Sequence, residues 1–377
     1  MVSRARNLGG LMGTSSTLDV ADIANLGDLT GVDSYDDSDA LALAIVPIGT
    51  QAYQADTGSF KIYRGASGWA QMDEFPAAPT GTQAQGTVSG YTSGGDAPPR
   101  VDTIDKFSFA SDGNATDVGD LIGARDDTTG QSSQASGYVS GGSSLSTNTI
   151  QKFPFATDGN ASDIGDLTGP RVNATGQSSA ESGYVSGGRN PGVSPLPINN
   201  IDKFPFATDT NATDVGDLTQ VRESAAGQSS TESGYTSGGF NRPSNSNVID
   251  KFPFAADANA TDVGDLIQAS RGPNGNSSTM SGYTSGGDQS EGGVFVNVID
   301  KFPFATDANA TDVGDLTGSK GYGASQSSTV SGYMSGGLDP ASNTLNVIEK
   351  FPFAADANAT DVGNLTRARW SAAGQQV

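Results

Sequence analysis

Neither histidine nor cysteine occurs in this chain of 377 residues. Serine–histidine triads, cysteine nucleophiles, imidazole or thiolate metal sites and disulfides are therefore excluded. The groups left for chemistry are carboxylates, hydroxyls and guanidiniums. A glycosidase needs only two carboxylates, and the chain holds 42 Asp and Glu. Most aspartates, however, recur at fixed places, and no copy departs in a way that suits catalysis. The expectation is a protein that is not an enzyme, with no catalytic residue, no metal and no cofactor. Oxygen-bearing residues do gather at Asp112, Asn114, Asp117 and Asp120. Calcium would want six to eight oxygens, and the same residue types suit a side-chain-capped turn, which is the preferred reading.

Basic residues recur as well. An arginine stands four residues after a leucine at Leu121/Arg125, Leu167/Arg171, Leu218/Arg222 and Leu365/Arg369; Lys320 follows Leu316, and one copy delays to Arg271 after Leu266. A cation at one equivalent place in each copy is a structural signature. Its expected partners are carbonyls or the Asp-rich turn of a neighbouring copy.

The elements that position these residues come from an internal repeat. The segment FPF, FSF in its first copy, begins at Phe107, Phe153, Phe204, Phe252, Phe302 and Phe351, a period of 46 to 51 residues. SGYxSGG recurs with it, at Tyr91, Tyr138, Tyr184, Tyr235, Tyr283 and Tyr333. Six copies at this period predict a propeller or an array. Each copy holds four short strand candidates: GQSS, GYTSGG, VIDKFPF and TDVGDL. With 51 glycines and only 34% hydrophobic residues, the fold class expected is all-β, a six-bladed β-propeller over residues 80–377. Seven first-strand candidates exist for six blades. The C-terminal RWSAAGQQV is expected to complete the first blade, with part of 81–88 as lead-in, because closure hides sheet edges.

The tyrosine before Gly-Gly, the third-strand aromatic and the leucine–arginine pair resemble the kelch repeat, although kelch blades carry a fourth-strand tryptophan where this chain has Val or Ile. The turn Asp209-Thr210-Asn211-Ala212-Thr213-Asp214 resembles the Asp box of sialidase-type propellers, with Asn in place of Gly and Asp in place of Trp. These likenesses imply blade architecture and say little about function.

Residues 1–45 are acidic and loosely patterned, an expected arm; NLGDLTGV at 25–32 echoes the fourth strand without becoming a seventh blade. Residues 46–79 contain an expected small β-hairpin module. The opening SRARNL and the positions Gly49, Tyr53, Asp56, Thr57, Gly58, Ile62, Tyr63, Gly65 and Trp69 are similar to N-terminal segments of tail-fibre and other virion proteins of marine bacteriophages. That resemblance implies a virion protein made in the host cytoplasm, a homo-oligomer within the particle, bound to other virion proteins through residues 1–79.

The formal charge of −22 repels phosphate backbones, so no nucleic-acid partner is expected. No run of about 18 apolar residues exists to span a membrane, and the N-terminus lacks the apolar stretch of a signal peptide. What varies between copies is the insert from Gly-Gly to FPF, 12, 11, 16, 13, 15 and 14 residues counted from the second Gly to the first Phe. Variable loops on a rigid scaffold are where recognition resides. The receptor-binding candidates, expected to be exposed and to meet a host surface glycan or protein, are Arg189, Asn190, Phe240, Arg242, Phe295 and Leu338. The expected function is thus a tail-fibre or adhesion-device component; a purely structural head, collar or tail decoration is the alternative, and a glycan-active propeller enzyme a third.

Overall fold

The computed structural model describes residues 34–35, 51–54, 59–63, 69–71, 85–143, 148–191, 197–290 and 293–377. The chain divides into two units, 1–80 and 81–377. In the first, Gln51–Gln54 and Ser59–Tyr63 form an antiparallel pair, Trp69–Gln71 adds antiparallel to the latter and Ser34–Tyr35 pairs parallel with the former. The echo at 25–32 lies outside the described residues.

The second unit is a six-bladed β-propeller of antiparallel four-stranded sheets, with no helix among the described residues. Numbered from the inner strand outward, blade 2 is Thr129–Ser132, Ser136–Ser140, Thr149–Pro154 and Ser162–Asp166. Blade 3 spans Thr175–Ser178 to Thr213–Asp217, blade 4 Ala226–Ser229 to Thr261–Asp265, blade 5 Asn274–Ser277 to Thr311–Asp315, and blade 6 Ala324–Ser327 to Thr360–Asn364. Blade 1 is closed as expected: Ala373–Gln376 is its inner strand, paired with Ser89–Ser93, and Thr103–Ser108 and Thr116–Asp120 follow. The lead-in segment meets the ring at the turns between first and second strands, where Gly86 N donates to Ser327 O and Thr329 N to Gly86 O. Each third strand ends on Pro or Ser, where a missing amide donor costs no ladder bond.

The repeated letters do their work between blades. Each tyrosine of the second strand packs against both FPF rings of the next blade, as Tyr184 does with Phe252 and Phe254 at centroid distances of 5.5 and 4.8 Å. Tyr333 closes the circle on Phe107 and Phe109. The core is therefore six aromatic seams, one per blade boundary. The glycine before each tyrosine is required by the third-strand ring of its own blade: a Cβ at Gly183 would lie 2.3 Å from the Phe204 ring.

The Asp-rich turns clasp the preceding blade. Third-strand lysines reach them in all six blades, from Lys106–Asp158 at 2.9 Å round to Lys350–Asp112 at 2.8 Å. The turn asparagines accept a fourth-strand amide in every blade, as Asn211 Oδ1 does from Asp166 N. Of the four residues considered for calcium, Asp112 holds Lys350 and Asn114 Oδ1 takes Asn364 N across the blade boundary, while Asp117 Oδ1 takes Gly119 N of its own strand.

Of the two partners expected for the repeated cation, the carbonyls are found and the Asp-rich turn is not. The cation is buried at the entry to the next blade and meets carbonyls and a third-strand acid there. Arg171 pairs with Asp202 at 3.1 Å, Arg222 with Asp250, Arg369 with Asp105 and Lys320 with Glu349 at 2.6 Å. The correction follows from topology, since the turns occupy the opposite end of the blade from this connection. A second ring lies inside: the inner-strand Gln or Asn of each blade donates to the tyrosine carbonyl of the next, from Gln131→Tyr184 to Gln375→Tyr138. The channel within has a volume of about 160 Å³ and is lined mainly by small residues, Gly, Ala, Ser and Thr, with the inner-strand Gln side chains.

Candidate recognition site

The inserts and the blade-to-blade connections meet at one end of the propeller. The residue after each Gly-Gly pairs through its backbone with a connection residue: Asp96 with Trp370, Ser143 with Asp126, Arg189 with Val172, Phe240 with Glu223, Asp288 with Arg271 and Leu338 with Gly321. The next connection residue has positive φ in every blade: Asp127, Asn173, Ser224, Gly272, Tyr322 and Ser371. These six rim the mouth of the channel, chained by backbone bonds such as Ser224 N to Asn173 O at 2.8 Å and Tyr322 N to Gly272 O at 2.7 Å. A rim held by its own backbone gives the side chains above it a fixed base.

Around blades 3 to 5 this rim carries a charged cluster. Glu223 is nearly enclosed; its Oε2 accepts from Arg189 Nε at 3.1 Å and its Oε1 from Arg242 Nη2 at 2.9 Å. Arg271 places Nε and Nη2 on Asp288 Oδ2 at 3.1 and 3.0 Å, while Asp288 Oδ1 takes the Ser290 amide. The guanidiniums of Arg242 and Arg271 stand 5.4 and 5.3 Å from the Phe240 ring centroid, within cation–π range. An aromatic row continues round the rim: Phe295 meets Tyr322 edge-on at 6.2 Å, and Tyr322 meets Trp370 at 5.8 Å. Burial pushes the Tyr322 phenol up to about 12, with the acids Asp288, Glu223 and Asp127 adding to the rise and Arg271 opposing it.

Of the six sequence candidates, Arg189, Phe240, Arg242 and Phe295 fall in this region. Arg242 is exposed; Arg189, Asn190, Phe295 and Leu338 are half-buried. Phe240, expected to be exposed, is buried at 5%. The short hairpin Phe240–Asn241 with Ser244–Asn245 folds it inward, and the two arginines cover it. Leu338 bridges to Gly321 and Thr344 in blade 6, apart from the arginine cluster. Glu223, Arg271, Asp288, Tyr322 and Trp370 are not among the six receptor-binding candidates read from the sequence. The one-residue delay of Arg271 was a visible signal: Ser270 takes the buried position, and the arginine is released to the rim.

Residues 85–377 hold sixteen Lys and Arg. Six are the clasp lysines and five the buried cations at Arg125, Arg171, Arg222, Lys320 and Arg369. All five that remain, Arg100, Arg189, Arg242, Arg271 and Arg367, belong to the inserts and connections of this one face. Arg100 pairs with Asp126 at 2.7 Å and Arg367 donates to Ala97 O at 2.9 Å. Among the described residues no group of three acids is placed to hold a metal ion.

No family model matches the chain and no curated protein matches it. Among solved structures, one titled "Structure of YjhT" is similar with a TM-score of 0.57 at 13% identity, covering 67% of this chain and 88% of that one. At that identity the likeness is one of fold, and what it shows is the propeller.

Proposed function

We propose that the chain is a recognition protein of a bacteriophage virion, a component of a tail fibre or adhesion device whose insert face binds an acidic group of a host surface glycan or protein. The observation that carries the recognition reading is the placement of the five cations that neither clasp an Asp-rich turn nor fill a buried blade connection, all arginines, on the one face whose loops vary. Guanidinium donors suit carboxylates, and half-exposed aromatic rings beside them suit sugar faces. The virion assignment rests on the motif from Gly49 to Trp69, which resembles the attachment segments of phage appendages. Binding without turnover is favoured by the state of the acids: both oxygens of Glu223 and of Asp288 are taken by donors. The phenol of Tyr322, pushed up to about 12, is a poor nucleophile near neutral pH.

Glycan-array and cell-adsorption measurements on the full chain test this reading. Arg189→Gln with Arg242→Gln should weaken binding to carboxylated glycans at least tenfold while the protein stays folded. Binding and adsorption that persist in the double variant would overturn it. Particle adsorption lost only on changing residues 1–80 would favour the decoration reading instead.

A further inference from the structure

The buried cation–acid pair is built the same way in blades 1, 3, 4 and 6. A third-strand acid receives the guanidinium or ammonium, and the threonine after the repeated leucine adds its hydroxyl: Thr366 to Asp105, Thr168 to Asp202, Thr219 to Asp250 and Thr317 to Glu349. Blade 2 keeps Arg125 but has Gln151 in place of the acid, with Ile122 in place of threonine. Blade 5 departs in the reverse sense. It keeps the acid, Asp300, but Ile267 replaces the threonine and Ser270 the cation. Asp300 is 7% exposed, its Oδ1 has no hydrogen-bond partner, and its Oδ2 has only the Ile267 amide at 3.3 Å. Burial, with Asp312 nearby, raises its pKa to about 6.

Beside this carboxylate lies a cavity of about 20 Å³, whose lining includes Ser270, Thr284, Gly286, Val296, Val298 and Asp300. That is room for one particle of water size. In blade 4, Arg222 Nη1 donates to the carbonyls of Gly238 and Val248, at 3.0 and 2.9 Å, while Nη2 reaches Asp250. The residues equivalent to Gly238 and Val248 in blade 5 are Gly286 and Val298. The acceptors for a positive charge thus persist in a blade whose sequence no longer supplies the charge.

We propose that this pocket binds one small monovalent cation of the alkali-metal or ammonium class, held by Asp300 and the carbonyls of Gly286 and Val298. A buried carboxylate costs several kcal/mol unless a positive charge or a proton compensates it. The pocket selects the ion type. One carboxylate balances a single charge, so a divalent ion would leave a buried positive charge uncompensated.

The test is thermal unfolding of the full chain at pH 8 in sodium, potassium or ammonium chloride against choline chloride at equal ionic strength, since choline is too large for the pocket. With a small cation at about ten times its Kd, the midpoint should rise by about 2–5 °C, and the rise should saturate. Asp300→Asn should abolish the difference between salts. Ser270→Arg, restoring the residue type of the other blades, should abolish it while raising the midpoint in choline. Equal midpoints in all four salts, or an increment that survives in Asp300→Asn, would overturn the proposal. Should Asp300→Asn fail to fold, sodium-23 line broadening decides: it must appear with the unmodified chain and vanish with Ser270→Arg.

Discussion

At the residue scale, burial rather than exposure makes the ionisable groups informative. Arg222 and Asp250 are both fully buried, and each has given up its hydration for the other. Replacing one partner strands the other charge, so Arg222→Ala should lose about 3–5 kcal/mol of unfolding free energy in a denaturant titration. Replacing both, as Arg222→Met with Asp250→Leu, should lose much less, and the coupling is the quantity to measure. Asp300 supplies the pH prediction. Its folded-state value near 6 exceeds the ordinary carboxylate value of 3.8. Its contribution is therefore fully present below about pH 4 and is lost as the pH rises through about 6. In choline buffer, unfolding free energy should fall by roughly 3 kcal/mol across that window through this group. The fall should be smaller by about that amount in Asp300→Asn. Identical pH profiles for the two proteins would show that Asp300 does not titrate abnormally.

At the scale of elements, the unit of stability is the seam between two blades. A blade offers its tyrosine to the FPF pair of the next, and its lysine to the next Asp-rich turn. The aromatic part dominates, because the clasp lysines and aspartates are substantially exposed, and such pairs are worth at most about 1 kcal/mol. Tyr184→Ala should therefore cost about 3–5 kcal/mol by opening a cavity between blades 3 and 4. Tyr184→Phe should cost about 1 kcal/mol, since its hydroxyl donates at a long 3.4 Å to Phe254 O and its other polar neighbours, Ser179 and Lys203, keep partners without it. Lys203→Ala, at the same seam, should fall near the phenylalanine value. Urea titrations of the three variants would rank them, and a lysine loss as large as the alanine loss would contradict the ordering.

For the whole molecule, the ring is closed by four residues, Ala373–Gln376, which supply the inner strand of blade 1 and with it one member of the inner ring of side-chain amides. Gln375 donates to Tyr138 O, Gln376 N donates to Ser132 Oγ, and Val377 O accepts the amides of Val88 and Ser89. Deleting residues 373–377 exposes the second-strand edge of blade 1 and interrupts the inner ring. The expected outcome is a broad, early thermal transition in place of one cooperative step, with aggregation through the freed edge. A truncated chain that melts as the parent does would mean that the lead-in strand can take over closure. The ring also has a polarity: Gly86 meets it at a turn between first and second strands, while the arginines and aromatic rim face the other end.

What repeats is legible in the letters alone. Spacing located six blades, the four strands in each and the C-terminal closure, because packing identical seams six times forces identical letters into register. The absence of His and Cys removed whole classes of chemistry by the same direct logic. The sequence also showed that the inserts vary and that Arg271 comes late. It did not show which acid meets the repeated cation, because the Asp-rich turn and the third-strand aspartate are equally frequent letters, and only the handedness of the meander places one of them beside it. Nor did it show that Phe240 turns inward while Tyr322 and Trp370 edge the channel mouth. Those side chains lie up to 130 residues apart and are joined by a circular closure. Sequence periodicity records what each blade shares with its neighbours; the site arises from what the blades do not share, and only the closed ring brings those differences to one face.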